Sequence, residues 1–533
     1  MMKQSIGTIL SGSLTDGFMM RVHSTALIEQ LKTGKFVCIA SAQGSFFSML
    51  VDLKLEVSHP DILLFPPTPQ EHLLHHILMQ QNMYAIAHLK PLLFITDQRK
   101  IIPVKTIPTH FAPVYEAQHE DITLIFGNEA EPTQKYFNIG TPLDMEVPVC
   151  IDLEKITERS NGIFGKTGTG KTFITRVLLA GLIKNDKAVT LIFDMHSEYG
   201  IQARKEGNQA NFVKGLKTLF PQKIALFSLD PQTTLRRGAS ADATLTLAYE
   251  SIAVDDILSL QDEFQLHPTA YEAAYLLVAR YKKQWLIKLL EQGERIRECA
   301  QEIGAHPESL AALYRKLKQI ERLPFFTAQS SDSLDLMLSY IEQGTSIIIE
   351  FGNFSSTLCY LLLANIITRR LHAAYIAKTE RYLASQKKSD EPKKLLITIE
   401  EAHKFLNPQA ARQTIFGTIA REMRKYYVSL LIVDQRPSGI DPEILSQIGT
   451  KFIAQLTDEK DLQAVLSGTA HAHYLRTILA MLESKQQALL MGHALPLPIV
   501  VETRSYDEHF YKSLINYTHS IPTELVQNLF SEN

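Results

Sequence analysis

Apolar residues follow two different rhythms along this chain. From residue 6 to about 139 they come in short runs, IGTIL, KFVCIASA and FFSMLVDLKL, punctuated by Gly7, Gly12, Gly17, Gly34 and Gly44. Short runs between glycine turns predict a small β-barrel or sandwich, with Pro60, Pro66, Pro67 and Pro69 marking a loop inside it. From about Asn161 the runs become continuously apolar, and helical patterns separate most of them. Strands are expected at 162–164, 188–194, 346–351, 395–401 and 429–435, and a helix at 171–184. Such strands are buried on both faces, which predicts an α/β core with a mainly parallel sheet. Residues 255–326 are almost wholly helical and charged, and read as a helical insertion forming its own subdomain. Residues 381–394 read as a polar loop. The expected organisation is a barrel over 1–140, core over 141–254, insertion over 255–326, and core with a C-terminal extension over 327–533.

Composition narrows the function classes. The 533 residues are 45% hydrophobic and 21% charged, which excludes a disordered chain, a collagen and a coiled-coil rod. With 57 acids against 54 lysines and arginines the net charge is −3, so no global field holds a polyanion. Nucleic-acid binding would need basic groups concentrated locally, as in a pore. Cys38, Cys150, Cys299 and Cys359 stand far apart without zinc-like spacing, and read as reduced thiols. The first ten residues lack a secretory apolar core, and the longest apolar stretch, 358–367, is about half a spanning helix. A soluble, cytoplasmic protein is expected.

Gly165, Lys166, Thr167, Gly168, Thr169, Gly170, Lys171 and Thr172 match the phosphate-loop pattern G-x-x-x-x-G-K-[ST] in full. A predicted strand precedes them and a helix follows. Glycines let successive N–H groups curl towards phosphate oxygens, and the helix start adds its positive dipole end. Lys171 is expected on the β- and γ-phosphates and the Thr172 hydroxyl on Mg²⁺. The motif predicts NTP binding and leaves the use of the NTP open.

A second motif runs LLITI straight into Glu400 and Glu401. Glu400 is assigned to the metal and Glu401 to the attacking water. Gln435 ends another apolar strand, where an amide either senses the γ-phosphate or caps the strand. Arg421 and Arg424 fall three apart on a predicted helix and, with Arg412 and Lys425, form a basic stripe. Charge alone favours a solvated face there; the other reading is an arginine finger. Asp194 and Glu198, in Asp194-Met195-His196-Ser197-Glu198-Tyr199, are candidates to assist catalysis beside the phosphate loop or to couple the ATP state to a partner. His196 reads as a structural histidine, because no second ligand follows at usable spacing.

These pieces occur in an order that resembles the HerA-type hexameric ATPases of the FtsK–HerA superfamily. The segment 139–172, the D-x-H-x-E-Y signature at 194–199, IEEAH at 399–403 and the segment 420–453 carry the resemblance. It implies a RecA-like P-loop ATPase core and a small N-terminal barrel domain. It further implies a homohexameric ring that uses ATP and Mg²⁺ to move double-stranded DNA, and a NurA-type nuclease partner in DNA end resection. Under this resemblance Arg421 or Arg424 is the arginine given to a neighbour's ATP. Gln435-Arg436-Pro437 resembles a sensor segment in which Ser usually precedes Gln; this chain has Asp434. Arg236, Arg237, Lys282 and Lys283 are candidate DNA contacts by charge. The rival reading is an ATP-regulated ring scaffold that arrays an effector nuclease.

Overall fold

In the computed structural model the described residues are 5–23, 28–29, 31–64, 82–143, 145–205, 208–328, 333–412, 414–422, 425–469, 472–483 and 486–515. Near the N-terminus, the strands Gly7–Ser13, Gly17–Val22, Phe36–Ser41, Gly44–Val57, Met83–Thr96 and Pro113–Glu116 form one sheet. It closes on itself because Phe18–Arg21 pair with Ile86–Leu89. Register shifts after Ile9, Phe47 and Leu50 bend the strands enough to close so small a barrel. Its interior is filled by Phe18, Val37, Ile39, Phe46, Leu50, Leu89 and Val114. The turn into the second strand needs Gly17: its φ is 98°, and a β-carbon there would stand 2.5 Å from the Leu89 carbonyl oxygen.

The second sheet has twelve strands among the described residues. Eight are parallel, in the order Ala243–Thr244, Ile224–Ser228, Ser346–Glu350, Val189–Asp194, Leu395–Glu400, Val428–Asp434, Asn161–Phe164 and Thr450–Ile453. Four antiparallel strands extend it: Gln487–Gly492, Ile499–Thr503, Tyr136–Pro142 and Val149–Asp152. Every residue of Val189–Asp194 and of Val428–Asp434 is buried, as strands covered by helices on both faces must be. The helix Lys171–Lys184 lies where the pattern predicts it. The strand Tyr136–Pro142 crosses position 140 and pairs within this sheet, not within the barrel.

Helices from Val254–Leu258 to Pro307–Leu317 fill most of the charged block. Its buried Trp285, Leu289, Leu310 and Leu313 are continuous with the core under the sheet, so the block shares that core and has none of its own. The polar loop expected at 381–394 starts late: the helix Thr357–Ser385 runs through its first five positions. No helix among the described residues is long and apolar enough to cross a membrane. Cys38, Cys150, Cys299 and Cys359 are buried thiols, with no disulfide among the described residues.

Candidate active site

The phosphate loop follows the strand Asn161–Phe164 at the C-terminal edge of the parallel strands. Gly165 is packed: a β-carbon there would meet Ala454 Cβ and Thr169 Oγ1 at 2.8 Å each. Gly168 and Gly170 have φ of 80° and 90° with open space where a side chain would stand. The loop therefore leaves room for a phosphate that side chains would fill. Lys171 Nζ donates to the Lys166 carbonyl at 2.7 Å, folded back over the loop. The Thr172 hydroxyl donates to Glu198 Oε2 at 2.9 Å.

One strand separates this loop from the acidic motif. Leu395–Glu400 pairs with Val428–Asp434, which pairs with Asn161–Phe164. The interposed strand delivers Gln435 between the loop and Glu401. Thr167 Oγ1 donates to Gln435 Oε1 at 2.6 Å, and Gln435 Nε2 donates to Glu401 Oε1 at 3.2 Å. Thus Gln435, Glu401 and the phosphate loop converge. Glu401 sits at φ 50°, in the left-handed region, which turns its side chain towards the loop. Glu400 is held by Tyr199, whose hydroxyl donates to Oε1 at 2.8 Å, and its backbone is bracketed by the Tyr360 hydroxyl. Burial, then the carboxylates of Glu198, Asp194 and Glu401, push Glu400 up to about 8. An acid so crowded by other acids suits a position where a divalent cation supplies the missing positive charge.

Asp194 is placed otherwise than expected. Its strand is three away from that of the phosphate loop, so it is not beside it. The carboxylate is fully buried and accepts the N–H groups of Glu198, Tyr199 and Gly200 at 2.7, 2.8 and 3.1 Å. It shapes the turn, and Glu198 is the acid presented to Thr172. Behind the turn Arg176, 2% exposed, donates from Nε to the Glu198 carbonyl at 2.9 Å among the rings of Phe173, Tyr199 and Tyr506. His196, expected to be structural, is exposed. Glu350, next to Asp194 in register, was not legible as a site residue; burial and Asp194 push it up to about 7.

Of the basic stripe, Arg421 lies on the helix Ile415–Glu422, Arg412 in the turn Ala410–Arg412 and Lys425 shortly before the strand Val428–Asp434, and Arg424 lies outside the described residues. Arg421 is exposed and donates from Nη2 to the Ala411 carbonyl at 2.8 Å. It lines a cavity of about 490 Å³ with Glu158, Arg159, Ser160, Lys425 and Gln447. Ser160 and Gln447 precede core strands, so this cavity opens at the N-terminal edge of the sheet, opposite the phosphate loop. The seven-residue strand Val428–Asp434 alone spans about 20 Å between the two edges. Arg159 in this cavity carries a buried Nε without a hydrogen-bond partner, and no sequence signal singled it out.

A phosphate loop, two acids one strand away and an amide on the strand between them define a RecA-like P-loop ATPase. Residues 137–371 match the family model described as "Helicase HerA, central domain", so the resemblance drawn from the motifs holds. The DNA double-strand break repair helicase HerA of Pyrococcus furiosus is 25% identical over 426 residues, covering 74% of this chain and 73% of that protein. The protein of the same name from Sulfurisphaera tokodaii is 24% identical over 419 residues, covering 75% and 74%. Among solved structures, VirB4 of Thermoanaerobacter pseudethanolicus aligns with a TM-score of 0.46 and 15% identity, over 70% of this chain and 98% of that one.

Proposed function

We propose that this protein is an ATP-driven translocase that moves double-stranded DNA through a ring of its own copies, hexameric in number, during repair of broken ends. The observation that supports it most is the split site. Lys171, Thr172, Glu400, Glu401 and Gln435 stand at one edge of the sheet, and Arg421 and Arg159 at the other. A head-to-tail ring brings one protomer's arginine edge to the next protomer's phosphate loop, so each site is completed by a neighbour. The names of the relatives supply DNA and repair. A NurA-type nuclease as partner and a cytoplasmic location complete the reading.

In this mechanism the loop N–H groups and Lys171 hold the triphosphate of ATP. Thr172 and Glu400 would hold Mg²⁺, which supplies positive charge to the phosphate oxygens. Glu401 accepts a proton from water as the water oxygen bonds to the γ-phosphorus and the bond to the β,γ-bridging oxygen breaks. Gln435 donates to Glu401 and accepts from Thr167, so it ties the base to the loop that feels the γ-phosphate. An arginine from the next protomer steadies the charge that develops. The Thr172 hydroxyl gives its one proton to Glu198, which leaves its oxygen lone pairs for the ion it would hold. The exposed Arg236, Arg237, Lys282 and Lys283 are the proposed sequence-independent phosphate contacts.

Mixing tests the split site. K171A and R421A are each expected to be inactive in ATP hydrolysis. Mixed one to one with random assortment, about a quarter of interfaces carry both intact residues, so turnover returns in part. A K171A protein with near-normal turnover would overturn the assignment. Failure of every mixture to recover, with full-speed hydrolysis by isolated wild-type protomers, would overturn the shared site.

A further inference from the structure

We propose that His403, clamped by Asp434, is a positioning residue that aims the Glu401 carboxylate at the reacting water. This rests on the reading of Glu401 as the water-activating base. His403 opens the short helix His403–Leu406, two residues past Glu401. Its Nδ1 lies 3.1 and 3.0 Å from the two carboxylate oxygens of Asp434, and its Nε2 lies 3.7 Å from Glu401 Oε2. One ring therefore spans two acids.

The Asp434 side clamps firmly. Its carboxylate is fully buried and also accepts the N–H groups of His403 and Arg436, each at 2.6 Å. A buried carboxylate requires donors or a counter-charge, and the imidazole completes that set. Nδ1–H is thereby committed to Asp434, which leaves Nε2 the only ring nitrogen that can address Glu401. The Glu401 side is looser: 3.7 Å is an ion-pair distance, and it exceeds a hydrogen bond. Such contacts tighten when substrate arrives.

Glu401 is gripped from two directions as a result. Gln435 Nε2 reaches one oxygen at 3.2 Å and is itself tied to Thr167 of the phosphate loop. His403 Nε2 stands 3.7 Å from the other oxygen. The backbone at Glu401 is left-handed, a strained conformation for a residue with a β-carbon. That strain is met where the surroundings fix the side chain, as these two contacts do. The acid that performs the clamping is the residue at which this chain departs from the Ser of the resembled sensor segment. It stands 31 positions from His403 and reaches it only because the two strand ends are neighbours in the sheet.

The two nitrogens can be separated by substitution in the full-length protein. H403N keeps an amide near the Nδ1 position and can hold Asp434, but cannot reach Glu401. H403Q reaches towards the Nε2 position. If His403 positions Glu401, H403N melts near wild type while its kcat for ATP falls on the order of 100-fold with KM little changed. H403Q then retains more of kcat than H403N. In an E401Q background, adding H403N causes no further loss of the residual turnover, because both act through one group. A purely structural histidine gives the reverse order: H403N active and H403Q unstable. That order, or an H403N defect confined to KM, overturns the inference. E401Q with near-normal turnover would instead sink the reading of Glu401, whatever His403 does.

Discussion

A carboxylate at the buried end of a core strand is stable only if its surroundings answer its charge, and Asp434 obtains the answer from His403. The hydrogen bond to Asp434, followed by the charges of Asp434 and Glu401, raises His403 above its ordinary value, against burial and Lys404. A histidine raised on folding contributes stability that is fully present below its unfolded value of about 6.5. The contribution is lost as pH rises through the raised folded value. The thermal stability of wild type over D434N is therefore expected to be greatest near pH 6 and to shrink towards pH 9, in paired melts across that range. An equal difference at both ends would show that the pair does not ionise as a unit.

Among elements, the long helix Thr357–Ser385 joins the helical block to the ATPase sheet. Its Arg369 donates from Nε and Nη2 to the fully buried Asp256 at 2.8 and 2.7 Å, and Asn365 adds a third contact at 2.9 Å. Asp256 belongs to the helix Val254–Leu258, the first of the block. Removing one partner of such a pair strands a charge without water. R369A is expected to lower unfolding stability by about 3 kcal/mol, read by urea titration. Asn at position 256 in that background should restore much of the loss, since no full charge is then buried. Trp285 adds an apolar tie: it is 1% exposed and donates its indole N–H to the Ile252 carbonyl at 2.9 Å. Block and sheet thus share one core.

The whole molecule carries the phosphate-loop site and the Arg421 cavity on opposite edges of one sheet. Under the proposed ring, activity belongs to an interface and not to a protomer. Specific ATPase activity is therefore expected to rise with protein concentration and to saturate as rings form, in assays run alongside light scattering. A specific activity flat across dilution, while scattering reports monomers, would contradict the shared site. The overall charge of −3 gives no attraction for DNA, so DNA binding by the proposed ring depends on basic groups lining its pore, and salt should weaken it steeply.

Local order was legible because it is written in neighbouring residues. Glycine spacing and apolar runs placed the phosphate loop, the helix Lys171–Lys184 and the strands that end at Glu400 and Asp434. Strand order was not, because parallel pairing joins segments far apart in sequence and periodicity does not say which ones. Hence Asp194 was expected beside the phosphate loop and lies three strands away, its carboxylate spent on its own turn. Of the basic stripe, Arg412 sits in a turn separate from the helix Ile415–Glu422 that carries Arg421, because sequence spacing alone does not say where a helix begins. The amino-acid order fixed which groups this protein owns: a triphosphate grip, two acids, an amide and spare arginines. Only the folded sheet decided their company, setting Gln435 between loop and base, His403 between two acids, and Arg421 out of its own protomer's reach, because side chains far apart in the chain meet through strand pairing alone.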